Sequence, residues 1–488
     1  MGRDSFGLPS FLILTTLASG AGEVAAVDGW HTNAGFTTQV IASDNINLQS
    51  KGGDSDVGVR LSPSVGVRRD TANNSLYFQY RLDYVDYFSN SAKDKFRHFL
   101  TANWNSELYP ELLFLDVKAN ANQNLIFSFL PSGGDDFNNN RNTTQTFTYA
   151  ISPYVRRHFK GYADLEVRYT FDQVLYSNNA ARDSHSNALS FRLESGREFA
   201  VTPWSLRGDY KRLTYEDQGG GSDFGRDDKL KSTLAKIGYV VNRQWQPNLY
   251  VGYDNNDYAT TKDDPKGVIY GAGVTWTPTP RTKVDVSYGH RYFGNNWYFD
   301  IRHRQRKGVL TASLTHEPTS SRDEILGQQT FQAEDSFGNV IVDPATGQPV
   351  TTDPGSPTLS NEVYILSAFK LGYDLKVGRR DTLGINGYYR LRDYEVTNRD
   401  ERSSGVVARW SHDLAANTSA DLRVGWGETK RELEDVNNTD WRVLLGVTHF
   451  LSQKSSVSFD LRHIERDSNT PQLSYTENRA TLTLATRW

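Results

Sequence analysis

The chain has 488 residues, 37% hydrophobic and 23% charged, with a formal net charge of −4 and no cysteine. That balance excludes disulfide staples, thiolate catalysis, Cys-ligated metal and c-type haem attachment, and it offers no basic field for nucleic acid. Aromatic residues are plentiful (26 Tyr, 24 Phe, 10 Trp), yet no apolar run reaches the roughly 20 residues a membrane helix needs.

Residues 1–26 read as a secretory signal peptide. Arg3 gives the positive start, Leu8 to Leu17 a short apolar run, and Val24-Ala25-Ala26 a small-residue cleavage point. The mature chain, 27–488, shows no break in composition that would divide it into domains. Its dominant feature is alternation with a period of two, so that successive side chains face opposite sides of a strand. Leu76, Phe78, Tyr80, Leu82 and Tyr84 oppose Gln79, Arg81 and Asp83. Ala163, Leu165, Val167, Tyr169 and Phe171 oppose Asp164, Glu166, Arg168, Thr170 and Asp172. Trp204, Leu206 and Tyr210 oppose Arg207, Asp209 and Lys211; Phe299, Ile301 and His303 oppose Asp300, Arg302 and Arg304. Val457, Phe459 and Leu461 oppose Ser458, Asp460 and Arg462. The last stretch, Tyr475 to Trp488, sets Ala480, Leu482, Leu484, Thr486 and Trp488 against Arg479, Thr481, Thr483, Ala485 and Arg487.

One such strand fits a soluble sandwich as well as a membrane barrel. A long succession without helices does not, because a stacked pair of soluble sheets of that size would be unusual, whereas a closed barrel has no edges and turns its apolar side to lipid. Connections also alternate in length. Tight turns at 69–74, 109–110, 159–161, 198–203, 242–244, 277–281, 305–308, 376–380, 413–417 and 451–455 alternate with loops. The loops fall at 47–56, 88–93, 128–142, 177–184, 217–228, 260–266, 294–296, 317–361, 397–403, 430–439 and 468–474. Short periplasmic turns and long extracellular loops are the habit of outer-membrane barrels. The sequence therefore predicts an all-β, transmembrane, antiparallel up-and-down barrel of about 22 strands, within a range of roughly 18 to 24, with both termini in the periplasm. The strand segments exceed the 9–11 or so residues needed to cross the bilayer, so the wall is expected to project beyond it.

Asp44-Asn45-Ile46-Asn47-Leu48, LLFLDVKA at 112–119, ISPYVRRHFKGYADLEVRYTFD at 151–172 and WTPTPRTKVDVSYGHRYFGNN at 276–296 together resemble the PEP-CTERM system-associated outer-membrane β-barrel proteins, which are linked to exosortase and exopolysaccharide loci. The resemblance implies an outer-membrane location and a role in exopolysaccharide export or surface assembly, beside periplasmic polysaccharide-export proteins. It supplies no catalytic residue.

Candidate lumen-lining residues are charges two apart on one strand face: Arg81 and Asp83, Glu166 and Arg168, Arg192 and Glu194, Arg207 and Asp209, Asp300 and Arg302, Asp460 and Arg462. Such neighbours share a face and pair readily, which serves either a hydrated channel or plain neutralisation of a polar wall. Tyr and Trp suit the aromatic girdles of a membrane barrel. Histidines 98, 158, 290, 303, 449 and 463 accompany no nucleophile motif, and the acidic clusters at 134–136, 227–228 and 263–264 match no EF-hand loop; no enzyme, cofactor or metal site is expected. The Pro-containing loop 317–361 is expected to fold over or into the pore, since structureless loops of that length are usually functional or disordered. Expected partners are outer-membrane lipid and the barrel-assembly machinery. An exopolysaccharide conduit, a general or solute-selective porin, and a closed structural or adhesive barrel all remain open to the sequence.

Overall fold

The computed structural model describes residues 29–89, 95–133, 137–139, 142–178, 181–216, 227–327, 358–432 and 434–488. The signal-peptide segment 1–26, the acidic cluster 134–136 and the middle of the long loop, 328–357, lie outside the described residues.

The first strands are β1 (Trp30–Ser43), β2 (Asp56–Asp70), β3 (Asn74–Tyr87), β4 (Lys95–Tyr109), β5 (Leu113–Leu125) and β6 (Thr143–Phe159). They are followed by β7 (Ala163–Tyr176), β8 (Ser184–Ser195), β9 (Trp204–Tyr215), β10 (Asp228–Gly238) and β11 (Trp245–Asn255). Then come β12 (Lys266–Thr279), β13 (Thr282–Arg291), β14 (Gly294–Arg304), β15 (Gly308–Ser320) and the short helix α1 (Ser321–Gly327). The chain closes with β16 (Val363–Val377), β17 (Asp381–Tyr394), β18 (Glu401–Ala415), β19 (Thr418–Arg431), β20 (Val436–Phe450), β21 (Ser455–Ser468) and β22 (Tyr475–Arg487). Each strand pairs antiparallel with the next, and β1 pairs with β22 from Gly35↔Arg487 to Ser43↔Arg479. The result is one closed sheet of 22 strands.

Several expected connections differ in their bounds: residues 317–320, placed in the long loop, complete β15, and the turn placed at 277–281 narrows to 280–281. The loop placed at 430–439 shrinks to 432–435, because Val436 to Asp440 pair with Gly427 to Arg431. The loop placed at 294–296 becomes a turn at 292–293. Asn295 and Asn296 pair with His290 and Gly289, and Gly294, at φ +109°, takes the left-handed conformation the tight reversal needs. The connection 160–162 is a tight reversal between the paired residues Phe159 and Ala163: Lys160 and Gly161 both have positive φ (47° and 90°), as a primed turn requires, and the Tyr162 N–H donates to the Phe159 carbonyl at 2.8 Å.

The apolar set of each strand faces outward. Leu249, Val251, Val268, Tyr270, Leu482 and Leu484 are all exposed on the outer wall, Leu249 by 63%. All ten tryptophans stand on outward positions. Trp30, Trp104, Trp204, Trp245, Trp276, Trp410 and Trp488 lie toward the end bearing the tight turns, and Trp297, Trp426 and Trp441 lie toward the other. That is the pair of aromatic girdles of a bilayer-spanning barrel. The molecule is an outer-membrane β-barrel whose apolar belt meets lipid, with the start of β1 and the end of β22 at the short-turn, periplasmic rim. A 15-residue strand rising about 3.4 Å per residue at about 45° climbs about 36 Å, against an apolar band of about 25 Å, so the taller strands stand clear of the membrane.

Inward positions carry glycine where an aromatic ring lies flat. Tyr250, Gly271 and Gly289 are direct partners across β11, β12 and β13, and a Cβ on either glycine would come within 2.3 Å of the Tyr250 hydroxyl. Tyr388, Gly405 and Gly427 repeat the arrangement across β17, β18 and β19. Apolar clusters are small and sit at the extracellular end, where loops meet the wall: Ile41, Ile46, Val85, Tyr87 and Phe137 in one, Ala181, Ile325 and Leu359 in another.

Candidate functional site

The lumen changes character along its axis. Toward the periplasm the inward side chains are solvated: the Arg207–Asp209 and Arg192–Glu194 pairs are largely exposed. Toward the outside they are buried, because two extracellular loops turn back into the barrel.

The first of these is the β5–β6 loop, 126–142. Phe137 is fully buried against Tyr87, ring centroids 5.3 Å apart, and the Tyr87 hydroxyl donates to the Phe137 carbonyl at 2.6 Å. Asn138 bridges two wall groups, donating to Glu477 at 2.8 Å and accepting from Arg479 at 2.7 Å. Arg466 on β21 holds Asp440 with both arms, at 2.7 and 2.9 Å, and donates to the Leu130 carbonyl at 2.7 Å. Tyr475 donates to the Ser132 carbonyl at 2.7 Å. Ser128 donates to Glu401 on β18 at 2.8 Å, so the loop leaves β5 and reaches the far wall.

The second is formed by the two ends of the long loop, α1 and 358–362. Arg322 crosses to β7 and β8, donating to the Asp172 carboxylate and to Ser184 at 2.9 Å. Asp323 meets Lys211 on β9. Glu324 takes both arms of Arg392, at 2.9 and 3.0 Å, and a hydrogen bond from the Tyr364 hydroxyl. Arg392 also donates to Glu401 at 2.8 Å, and both residues are almost wholly buried. The two loops touch: the Leu359 N–H donates to the Ile126 carbonyl at 2.9 Å and Thr358 donates to Glu401 at 2.8 Å. Over them the β11–β12 loop reaches the β17–β18 loop, with the Thr261 N–H on the Glu395 carbonyl at 2.8 Å.

These charges are held ionised by their neighbours. Burial by itself would push the Glu324 carboxyl up; the Arg392 guanidinium outweighs it and keeps Glu324 below the ordinary carboxylate value. Asp323 likewise loses hydration, and Lys211 and Arg322 hold it low. Asp400, in the β17–β18 loop, goes the other way: partial burial and then the Asp393 carboxyl beside it push it up to about 6.

The residues expected at the lumen all occupy inward positions. Arg81 pairs with Asp83 at 2.8 Å, Arg168 with Glu166 at 3.2 Å, Arg192 with Glu194 at 3.8 Å and Arg207 with Asp209 at 2.7 Å. Arg168 also reaches Asp116 on β5 at 2.6 Å. Asp300 and Arg302 share a face without an ion pair between them; Asp300 stands opposite Asp285, whose partner is Lys283 at 2.8 Å. Asp460 and Arg462 lie inward on β21, with the Ser458 hydroxyl donating to Asp460 at 3.4 Å.

Sequence reasoning missed the buried network of Arg322, Glu324, Arg392, Glu401, Arg466 and Glu477. Glu477 with Arg479 carries the same two-apart charge signal and could have been found. Arg322 and Glu324 sit in a loop, where no periodicity points to a partner. Several histidines are cross-strand bonding groups: His98 meets the Tyr80 hydroxyl at 2.8 Å and His303 the Thr282 hydroxyl at 2.7 Å. Among the described residues no group of three or more His, Asp or Glu could hold a metal ion.

No protein-family model matches the chain, and no curated protein sequence matches it. Solved structures do match in fold. The FrpB iron transporter from Neisseria meningitidis superposes with a TM-score of 0.52 at 10% identity, covering 94% of this chain and 83% of that one. The siderophore receptor PirA from Pseudomonas aeruginosa gives 0.50 at 9% identity, covering 94% and 80%. The ferric enterobactin receptor PfeA from the same organism, in complex with BCV-L6, gives 0.51 at 9%, covering 93% and 81%. Likeness at this identity carries the fold and not the ligand: this chain is similar to outer-membrane barrel receptors in architecture.

Proposed function

We propose that the barrel is a conduit through which an exopolysaccharide leaves the cell, acting without covalent chemistry and alongside periplasmic polysaccharide-export proteins, after insertion by the barrel-assembly machinery. The observation behind this reading is the polarity of the lumen along its axis. A solvated, charged vestibule lies toward the periplasm, and toward the outer mouth the protein's own loops turn back into the lumen, held to the wall by ion pairs rather than by a large apolar core. A polymer fed from the periplasm meets water and exchangeable charges first, and displaces the loops last. The family resemblance of the 151–172 and 276–296 stretches supplies the cargo class. Deleting the gene should abolish extracellular polysaccharide while polymer accumulates in the periplasm; unchanged extracellular polysaccharide would end the proposal.

A second reading is a solute-selective channel, favoured by the way the β5–β6 loop reaches from β5 to Glu401 on β18. Liposome swelling separates the two, since rapid entry of small sugars through the native protein belongs to the channel for solutes.

A further inference from the structure

We propose that the inner wall from β18 to β22 is a binding track for an anionic glycan, one carrying carboxylate or a similar oxyanion on successive sugars; this names the substrate class of the conduit and rests on that reading. Read across the sheet, one row of directly paired inward positions is Arg409, Arg423, Leu444, Arg462 and Arg479. Arg442 lies two residues outward of Leu444 on β20 and fills the gap in the row. Neighbouring strands are about 4.8 Å apart, so guanidinium groups recur at a spacing comparable with one sugar of an extended chain. Strands in such barrels tilt by about 40°, and a row perpendicular to them winds obliquely along the wall. The track therefore leads from the open vestibule toward Arg466 and the loop that Arg466 holds.

The neutralisation seen elsewhere on the wall is missing at its centre. Arg81 and Arg207 each bind the aspartate two residues away, at 2.8 and 2.7 Å. Arg423 stands in the same relation to Asp421, and Arg442 to Asp440, yet no carboxylate lies within ion-pair distance of Arg423 or Arg442 among the described residues. Asp440 is taken by Arg466. Arg409 reaches a carboxylate, that of Asp374, only at 3.9 Å. The Nε atoms of Arg409, Arg423 and Arg442 are buried without a hydrogen-bond partner, as is that of Arg81 despite its ion pair, so it is the missing carboxylate that marks Arg423 and Arg442. Asp421 and Asp460 lie two residues toward the periplasm on the same strands and moderate the field, so a passing anion is held weakly, as conduction requires. A planar guanidinium suits a carboxylate with two parallel bonds.

The test uses the full-length protein in detergent and three probes: polygalacturonate oligomers, monomeric galacturonate and neutral dextran. The oligomers should bind, more weakly as salt rises, while dextran does not bind and the monomer binds far less well. The triple variant R409Q/R423Q/R442Q should lose at least about tenfold in oligomer affinity, and K283Q, on β13 and away from the track, no more than about twofold. If the triple variant does not assemble, single R423Q and R442Q variants should each lose about threefold. Absent oligomer binding, equal binding of dextran or of the monomer, or unchanged affinity in the variants overturns the track. A deletion strain that still loses its extracellular polymer would leave the conduit standing while the track falls; normal secretion with intact oligomer binding would do the reverse.

Discussion

At the scale of single residues the closure depends on Arg392. Its guanidinium satisfies Glu324 on the inserted loop and Glu401 on the wall at once. Replacing it with leucine takes the paired guanidinium from Glu324 and leaves Glu401 only Arg431, at 3.7 Å, and removing one partner of a buried pair costs about 3–5 kcal/mol. R392L should therefore loosen the loop and raise the open probability in planar bilayers. R68A, which breaks an exposed pair with Asp70, should change neither conductance nor stability by a measurable amount. Conductance equal to that of the native protein in R392L would mean the ion pairs do not hold the loop. The pH dependence has a definite sign. Glu324 and Asp323 sit below their ordinary values of 4.5 and 3.8, so the stability they contribute is fully present above those values and is lost as pH falls through the depressed ones. The closure should be flat from pH 8 to 5 and open only under stronger acid, below about 4. Asp400 is raised, so its contribution runs the other way: it is present below its ordinary 3.8 and lost as pH rises through about 6. The β11–β12 and β17–β18 loops should tighten between pH 7 and 5. Hydrogen exchange at the Thr261 amide, corrected for the intrinsic pH effect, should slow over that interval; an unchanged protection factor would contradict the assignment.

At the scale of elements, what the sequence makes legible is whatever is local. The alternation from Leu76 to Tyr84 states both that β3 is a strand and which side meets lipid, because every second residue reports the same environment. Turns such as Lys160-Gly161 announce themselves by backbone need. The loops do not: Ser128 finds Glu401 at a separation of 273 residues and Arg322 finds Asp172 at 150, and nothing in the residues around 128 or 322 encodes those partners. Two-apart charges identify a polar wall but not which of them pair, as Asp300 and Arg302 show. The glycines under Tyr250 are also invisible to a pattern of polarity, yet they have a sharp consequence. G271V would drive the phenol off its neighbours and overpack the wall, a change of the kind that costs about 1–3 kcal/mol. Its urea midpoint should fall, whereas V251A on the lipid face should leave packing inside the lumen untouched. Equal midpoints for G271V and the native protein would show that the ring has room to move.

At the scale of the whole molecule, closure and size demand each other. With 22 strands spaced about 4.8 Å apart and tilted about 40°, the backbone circle is about 44 Å across. Side chains alone cannot fill that width, and an unobstructed barrel would leak every small solute across the membrane. The β5–β6 loop and the two ends of the long loop supply the missing obstruction from within the chain, crossing from β5 to β18 and from β15 to β7. Because each has anchors of its own beside the contacts they share at Glu401, Asn138 and Arg466 in one case and Arg322 and Glu324 in the other, removing either should leave part of the lumen covered. Replacing 126–142 or 321–362 by a short turn should give a partly open channel, and replacing both should give a far larger, weakly selective conductance while the barrel still assembles, since no strand loses its pairing. Single-channel recordings of the three variants decide it. If the double replacement conducts no more than the native protein, something other than these loops seals the pore, and the route proposed for the polymer is closed.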